Sequence, residues 1–192
     1  MNTAEATERL LEAAEDLFYA QGVQSVGMDA VRSRSGVSLK RLYQVFPSKD
    51  DLVAAYLNTR DERWRRSLRE FVAVRGDDPL AVFDWLHDWF SEPDFRGCAF
   101  VNSFGEFGTL APGVAAAIHN HKDEVRAYLR RLVADDDLAD QLFSLMEGAT
   151  VLAAIKGDPG EAGTARAAAA TLLAAQRRSG GPVGRETLIR QP

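Results

Sequence analysis

The chain has 192 residues, 46% hydrophobic and 27% charged, and a formal net charge of −5, which bounds it to one compact unit or a small domain joined to a larger one. No stretch of about 18 uninterrupted apolar residues argues for a membrane span, and the opening MNTAEATERL lacks the apolar segment of a secretory leader. One cysteine, Cys98, cannot form an internal disulfide, so the expectation is a cytoplasmic protein with no membrane partner.

Taken in chain order, the pattern is helical throughout. A first helix is predicted over 4–21, with Leu10, Ala14, Leu17 and Phe18 on one face. Residues 28–49, MDAVRSRSGVSLKRLYQVFPSK, then hold a short helix, a glycine turn, a second short helix and the start of a third. A long helix is predicted over 48–74, opened by the capping pattern Ser48-x-x-Asp51. Gly76-Asp77-Asp78-Pro79 is a stop and a restart, with Pro79 in the first turn of a helix marked by Leu80, Phe83, Leu86, His87 and Phe90. A short apolar helix is expected over 97–108, another over 112–133, a third capped by Asp135 and ending at Gly157, and a last one from Asp158-Pro159 to about Arg178. Val, Ile and Thr never alternate over several residues, so no strand is predicted. The Gly- and Pro-containing tail 179–192 reads as flexible.

Residues 28–49 carry the chemistry. Arg32, Arg34, Lys40, Arg41 and Lys49 stand against the single acid Asp29, a local positive excess on an acidic chain. Gly36 sits where the first short helix must stop and bend, a left-handed position cheap only for glycine. Ser38 is a natural N-cap for the next helix. Leu42 and Phe46, four apart, face inward and leave Lys40, Arg41, Tyr43 and Gln44 around the rest of the circumference, with Leu39 and Ser38 at its start. Cationic, phenolic and amide side chains at a helix start suit phosphate contacts and base-edge hydrogen bonds. An ordinary helical hairpin with a solvated basic face is the bland alternative; turn glycine, two caps and polarised charge together favour double-stranded DNA as partner.

The segment SGVSLKRLYQVFPSKDDLV resembles the DNA-binding signature of the TetR family of one-component bacterial transcriptional repressors. Leu10, Ala14, Leu17, Phe18 and Gly22 precede it at the spacing that family shows, and the resemblance covers about residues 7–56. It implies an all-α protein with an N-terminal three-helix, helix-turn-helix DNA-binding domain (1–47) joined to a larger helical ligand-binding and dimerisation domain (48–178). The chain departs from the pattern at Gly27, where a capping Ser or Thr is usual, at Ser35 before the turn glycine, at Lys40 and Arg41 early in the recognition helix, and at Val45, where an aromatic residue is common. The expected DNA-binding residues are Arg32, Arg34, Ser38, Leu39, Lys40, Arg41, Tyr43, Gln44 and Lys49.

Two later segments have apolar faces wider than one neighbour needs: LADQLFSLMEGATVLAAI at 138–155 and the Ala-rich EAGTARAAAATLLAA at 161–175. Simple coverage of the monomer core is one reading. The resemblance implies pairing with a symmetry mate as a four-helix bundle, and one short recognition helix reads too few bases without a two-fold partner. The aromatic residues between 60 and 110, with polar groups among them, suggest a small-molecule site. Its expected lining is Trp64, Phe83, His87, Phe90, Phe100, Asn102, Phe104 and Glu106, and its ligand an unknown, largely apolar inducer. Filling of an ordinary helical core is the competing reading.

Cys98, in FRGCAFVN, has two readings: a thiol made reactive by nearby Arg96 and a helix start, or a small buried apolar residue. His119 and His121 are two apart on a helix and diverge, so no metal site is expected. No phosphate-binding glycine loop, zinc-type cysteine spacing or Gly-x-Ser-x-Gly elbow occurs, so neither a cofactor nor an enzyme is expected. The combined expectation is a homodimeric repressor released from a palindromic operator by a small apolar molecule. A ligand-independent regulator, an activator, or a helical small-molecule carrier are the alternatives.

Overall fold

Why nine α-helices form among the described residues, 1–107 and 111–179 of a computed structural model, follows from where apolar periodicity meets a cap. The helices are α1 Thr3–Gln21, α2 Met28–Ser35, α3 Leu39–Val45, α4 Lys49–Ala73, α5 Ala81–Phe90, α6 Ala99–Glu106, α7 Pro112–Val133, α8 Asp136–Lys156 and α9 Glu161–Ser179. Helix α4 starts with a reciprocal capping box: the Asp51 amide donates to Ser48 Oγ, and the Ser48 amide donates to Asp51 Oδ2. Asp135 caps α8 by accepting from the Leu138 amide at 2.8 Å. Pro79 lies in the turn before α5 and not in its first turn. Asp78 organises that turn, accepting from the Leu80 amide through its carboxylate and from the Ala81 amide through its carbonyl. The predicted flexible tail lies outside the described residues except for the end of α9.

The helices bury two apolar cores. One gathers α1, α2 and α3 with the first half of α4, α6 and the start of α7; Leu10, Phe18, Val31, Leu42, Tyr56, Phe100 and Ile118 meet there. The other stacks α5, α8 and α9 against the second halves of α4 and α7. Phe83, Trp85, Trp89 and Phe90 fill it, opposite Ala139, Ala149, Ala162, Ala165 and Ala169. Small residues on α8 and α9 make room for the aromatic row of α5. The packing therefore divides along α4 and α7 and not at residue 47, because Leu52, Val53, Tyr56 and Leu57 belong to the helix-turn-helix core.

Helix α8 is long and apolar enough to cross a membrane by composition alone. It is also tied to α7 by ion pairs, Lys122 to Glu147 at 2.6 Å and Arg126 to Asp140. One face is buried in the second core; the other exposes Val151, Leu152 and Ile155, the last at 76%.

Candidate nucleic-acid interface

The turn between α2 and α3 is built as the residues dictate. Gly36 takes φ 68°, ψ 12°, and its amide donates to the Arg32 carbonyl. Ser35 is buried here, its Oγ donating to the Arg32 carbonyl and accepting from the Val37 amide. A serine in place of the commoner alanine thus satisfies two polar groups of the turn. Ser38 caps α3 by accepting from the Arg41 amide at 3.3 Å. Val31, Val37, Leu42 and Phe46 anchor the pair of helices inward.

That anchoring fixes what α3 shows to solvent. Ser38, Leu39, Lys40, Tyr43 and Gln44 are exposed, and Leu39 and Tyr43 are among the few large apolar side chains left so, at 44% and 47%. Arg41 lies half-buried across the helix, donating to Gln44 Oε1 at 3.2 Å and to Thr3 Oγ1 at 2.7 Å, which ties α3 to the start of α1. Lys49 donates to the Gln24 carbonyl at 3.4 Å.

The α2 arginines each carry an ion-pair partner. Arg34 is paired with Asp16 of α1 at 2.6 Å, and Arg32 with Asp29 at 3.3 Å. Both pairs are solvent-exposed, and the Arg34 side chain stays 61% exposed. Among the described residues Lys40 forms no ion pair.

The eight residues expected to line an inducer pocket do not converge. Trp64, Phe83 and Phe90 belong to the second core and Phe100 to the first. His87 and Phe104 point to solvent, Phe104 at 59% exposure. Asn102 and Glu106 alone share a cleft, of about 420 Å³, between α1, α4 and α6. The scatter follows from how α5 and α6 pack and not from helical spacing, which sets Phe83, His87 and Phe90 along one side of α5 and Phe100 and Phe104 along one side of α6. Phe18, Tyr19, Tyr56, Arg96 and Ser103 complete the cleft. Burial raises the Tyr19 and Tyr56 phenol pKa values, so both rings enter it neutral.

Glu106 closes one end of the cleft against the helix-turn-helix unit. Its Oε2 accepts from the Gln24 amide at 2.6 Å. Gly22, at φ +86°, passes so close that a Cβ there would sit 3.1 Å from the Glu106 carboxylate. The other end is held by Tyr19, whose hydroxyl accepts from the Arg96 amide and donates to the Gly97 carbonyl.

Residue-type scanning missed a buried polar chain between the two cores. His121 of α7 is 3% exposed, and its Nδ1 lies 2.7 Å from Asp61 Oδ1 of α4. The Arg65 guanidinium clamps the same carboxylate, with Nη2 2.6 Å from Oδ2. Burial pushes Asp61 up, but the hydrogen bonds from His121 and Arg65 outweigh it and hold the carboxyl below its usual value. The signal was in the period: Val114, Ile118, His121, Val125 and Tyr128 form one face of α7, and Asp61 sits between Leu57 and Leu68 on the buried face of α4. His119, two residues away, is exposed, so the two imidazoles do diverge. Among the described residues no group of three or more His, Cys, Asp or Glu is placed to hold a metal ion.

Comparison with known proteins identifies relatives of this arrangement. The profile of bacterial regulatory proteins, tetR family, matches residues 10–56. A TetR-family transcriptional regulator from Streptomyces coelicolor superposes with a TM-score of 0.78 at 31% identity, over 90% of this chain and 96% of that one. An HTH-type transcriptional regulator of Mycobacterium tuberculosis is 34% identical over 68 residues, 35% of this chain and 34% of its own. The transcriptional activator FasR of Mycolicibacterium smegmatis is 30% identical over 117 residues, 57% of this chain and 50% of its own. The chain thus spans from a third to half the length of these two curated relatives.

Proposed function

The chain belongs to the TetR family of transcriptional regulators, and from that premise we propose that it is a dimeric repressor whose α3 enters the DNA major groove. The observation that carries this is the outward face of α3. Leu39, Lys40, Tyr43 and Gln44 are solvent-facing on a helix whose cap, turn and inner face are all fixed, a rigid surface with the side chains that read bases and phosphates. Ser38 and Lys49 would meet phosphate at its edges. Arg34 also braces α2 against α1 through Asp16, and Arg32 pairs with Asp29 inside α2. At about 1.5 Å per residue, α3 spans only about 10 Å, so useful specificity calls for a second copy.

Val151, Leu152 and Ile155, exposed on α8, and Ala167, Ala168 and Ala174, exposed on α9, offer the surface for that copy. Pairing the small and apolar faces of α8 and α9 with their symmetry mates as four helices would cover them. The domain division at residue 47 then describes labour and not packing: the first three helices read DNA, while the rest dimerises and senses. Such a regulator works in the cytoplasm, where its operator lies.

The cleft between α1, α4 and α6 is the inducer site in this reading. Its aromatic walls and few polar anchors suit a small, largely apolar molecule that carries a hydrogen-bonding group. An occupant that drew Glu106 away from the Gln24 amide would free the α1–α2 turn, and the α3 spacing across the dimer would change with it. It would release DNA only by the difference between its affinities for the two arrangements. The FasR relative is named an activator, so the sign of regulation is a second quantity to measure.

Fluorescence anisotropy on the duplex upstream of the chain's own gene, beside a scrambled duplex, tests the reading. Sequence-dependent binding that weakens with salt is expected, and Lys40→Ala should lower the salt slope by about one per half-site, about two for the dimer. Equal binding to both duplexes, together with no palindrome enriched from random sequence, would overturn it in favour of a small-molecule carrier.

A further inference from the structure

Ser103 and Tyr56 both line the cleft between α1, α4 and α6, each 2% exposed, and neither hydroxyl has a hydrogen-bond partner among the described residues. A buried hydroxyl left unpaired costs free energy unless an occupant of the cleft meets it. Glu106 stands in the same position with respect to charge. Its Oε2 accepts from the Gln24 amide at 2.6 Å, yet among the described residues no cation pairs with its carboxylate. Ser103 and Glu106 are three residues apart on α6, so they share one side of that helix.

The surroundings fix the sign of the missing partner. Tyr19, Ala20 and Gly22 bring the C-terminal end of α1 to the cleft, and the last turn of that helix has no basic residue. Its carbonyls carry the negative end of the helix dipole, which favours a cation. Phe18, Tyr19 and Tyr56 supply aromatic walls, whose ring faces attract cations too. Tyr19 already takes the Arg60 guanidinium over its ring, 3.8 Å from the centroid. The nearby cations are otherwise engaged. Arg60 pairs with Glu15, and Arg96, at the Tyr19 end of the cleft, is exposed to solvent and donates Nη1 to the Phe95 carbonyl. Glu106, at the opposite end, keeps its charge unanswered.

We propose that the cleft binds a small organic cation, a protonated amine on an apolar body, with its ammonium group donating to the Glu106 carboxylate and to Ser103 Oγ. A cleft of about 420 Å³ admits a molecule with one aromatic ring. An ammonium there competes with the Gln24 amide for the same carboxylate, so occupancy is felt at the α1–α2 turn. The assignment deepens the inducer reading and rests on it only for the effect on DNA.

Phenethylamine, phenethyl alcohol and hydrocinnamate, similar shapes in three charge states, test it by isothermal titration calorimetry on the full chain at neutral pH without DNA. Phenethylamine is expected to bind at least about tenfold more tightly than the alcohol, the margin of a charge-assisted hydrogen bond, and hydrocinnamate least of all. In Glu106→Gln the amide oxygen can still accept from the Gln24 amide, so the turn stays tied while the charge goes. That variant should weaken phenethylamine about tenfold and leave the alcohol within about twofold. Ser103→Ala, a change that suits a helix interior, should weaken phenethylamine about fivefold. Equal affinity for amine and alcohol, or tighter binding of hydrocinnamate, would overturn the proposal on the wild-type chain alone. So would the absence of saturable binding by all three at millimolar concentration. An amine that binds with the expected preference yet leaves the operator complex intact would support the site and strike only the inducer role.

Discussion

The two cores of this molecule are held by different means. The helix-turn-helix core relies, beside its apolar packing, on local devices: a left-handed glycine, a buried serine that bonds both sides of a turn, and two serine caps. The second core relies on bulk, with the aromatic row of α5 set against alanines of α8 and α9. What joins them is polar, the buried Arg65–Asp61–His121 chain between α4 and α7. A regulator gains from this division, since a rigid reading head can move against a rigid body only if the joint between them is of another kind.

All three tryptophans, Trp64, Trp85 and Trp89, lie in or against the second core. Tryptophan fluorescence therefore reports that core alone, while far-ultraviolet circular dichroism reports every helix. Phe83→Ala offers the largest expected effect. Phe83 is 1% exposed, and its removal should cost about 3–5 kcal/mol by lost burial and cavity formation. In urea the fluorescence transition should move to lower concentration ahead of the dichroism. If both move together, the cores form one cooperative unit and the division is merely geometric.

Asp61→Asn attacks the joint. It leaves Arg65 and His121 facing a neutral amide in a largely buried place, at a cost of about 3 kcal/mol, and should separate the two transitions. The pH dependence sharpens this. Asp61 is held below its ordinary value of 3.8, so its stabilisation is complete above that value and is lost as pH falls through the lower folded one. His121 is raised above 6.5, so its contribution is complete below 6.5 and lost as pH rises through the higher folded value. Wild-type stability should fall on both limbs, and Asp61→Asn should abolish the Asp61 contribution on the acid limb. An unchanged acid limb in urea titrations would assign the joint to apolar packing of α4 on α7 instead.

How much of this was legible beforehand differs between the cores for physical reasons. Caps, turn glycine and inward pairs such as Leu42 and Phe46 are local, so the helix-turn-helix could be read almost residue by residue. The chemistry of the middle of the chain is not local. Ten aromatic residues between 60 and 110 read as one pocket, but packing puts Phe83 and Phe100 in different cores and leaves Phe104 in solvent, although Phe104 stands only four residues after Phe100. The pairing of Arg34 with Asp16 was not legible either, because Asp16 lies on another helix. Arg96 looked like the neighbour of the Cys98 thiol, whereas Lys122 and His121, more than twenty residues away, are the groups that act on it. Pairings across helices are set by packing, and one sequence shows only which faces are available.

The smallest effect is the most selective test of the division. Ser38→Ala removes an oxygen that accepts from the Arg41 amide at the start of α3 and touches nothing in the second core. It should cost about 1 kcal/mol, the usual worth of an N-cap. If the cores unfold as separate units, that loss appears in circular dichroism while the tryptophan transition stays where it was. If the Asp61–His121 joint makes them one, both probes shift by the same free energy. The same variant in an Asp61→Asn background then decides between the two, because cutting the joint should confine the lost cap to the reading head.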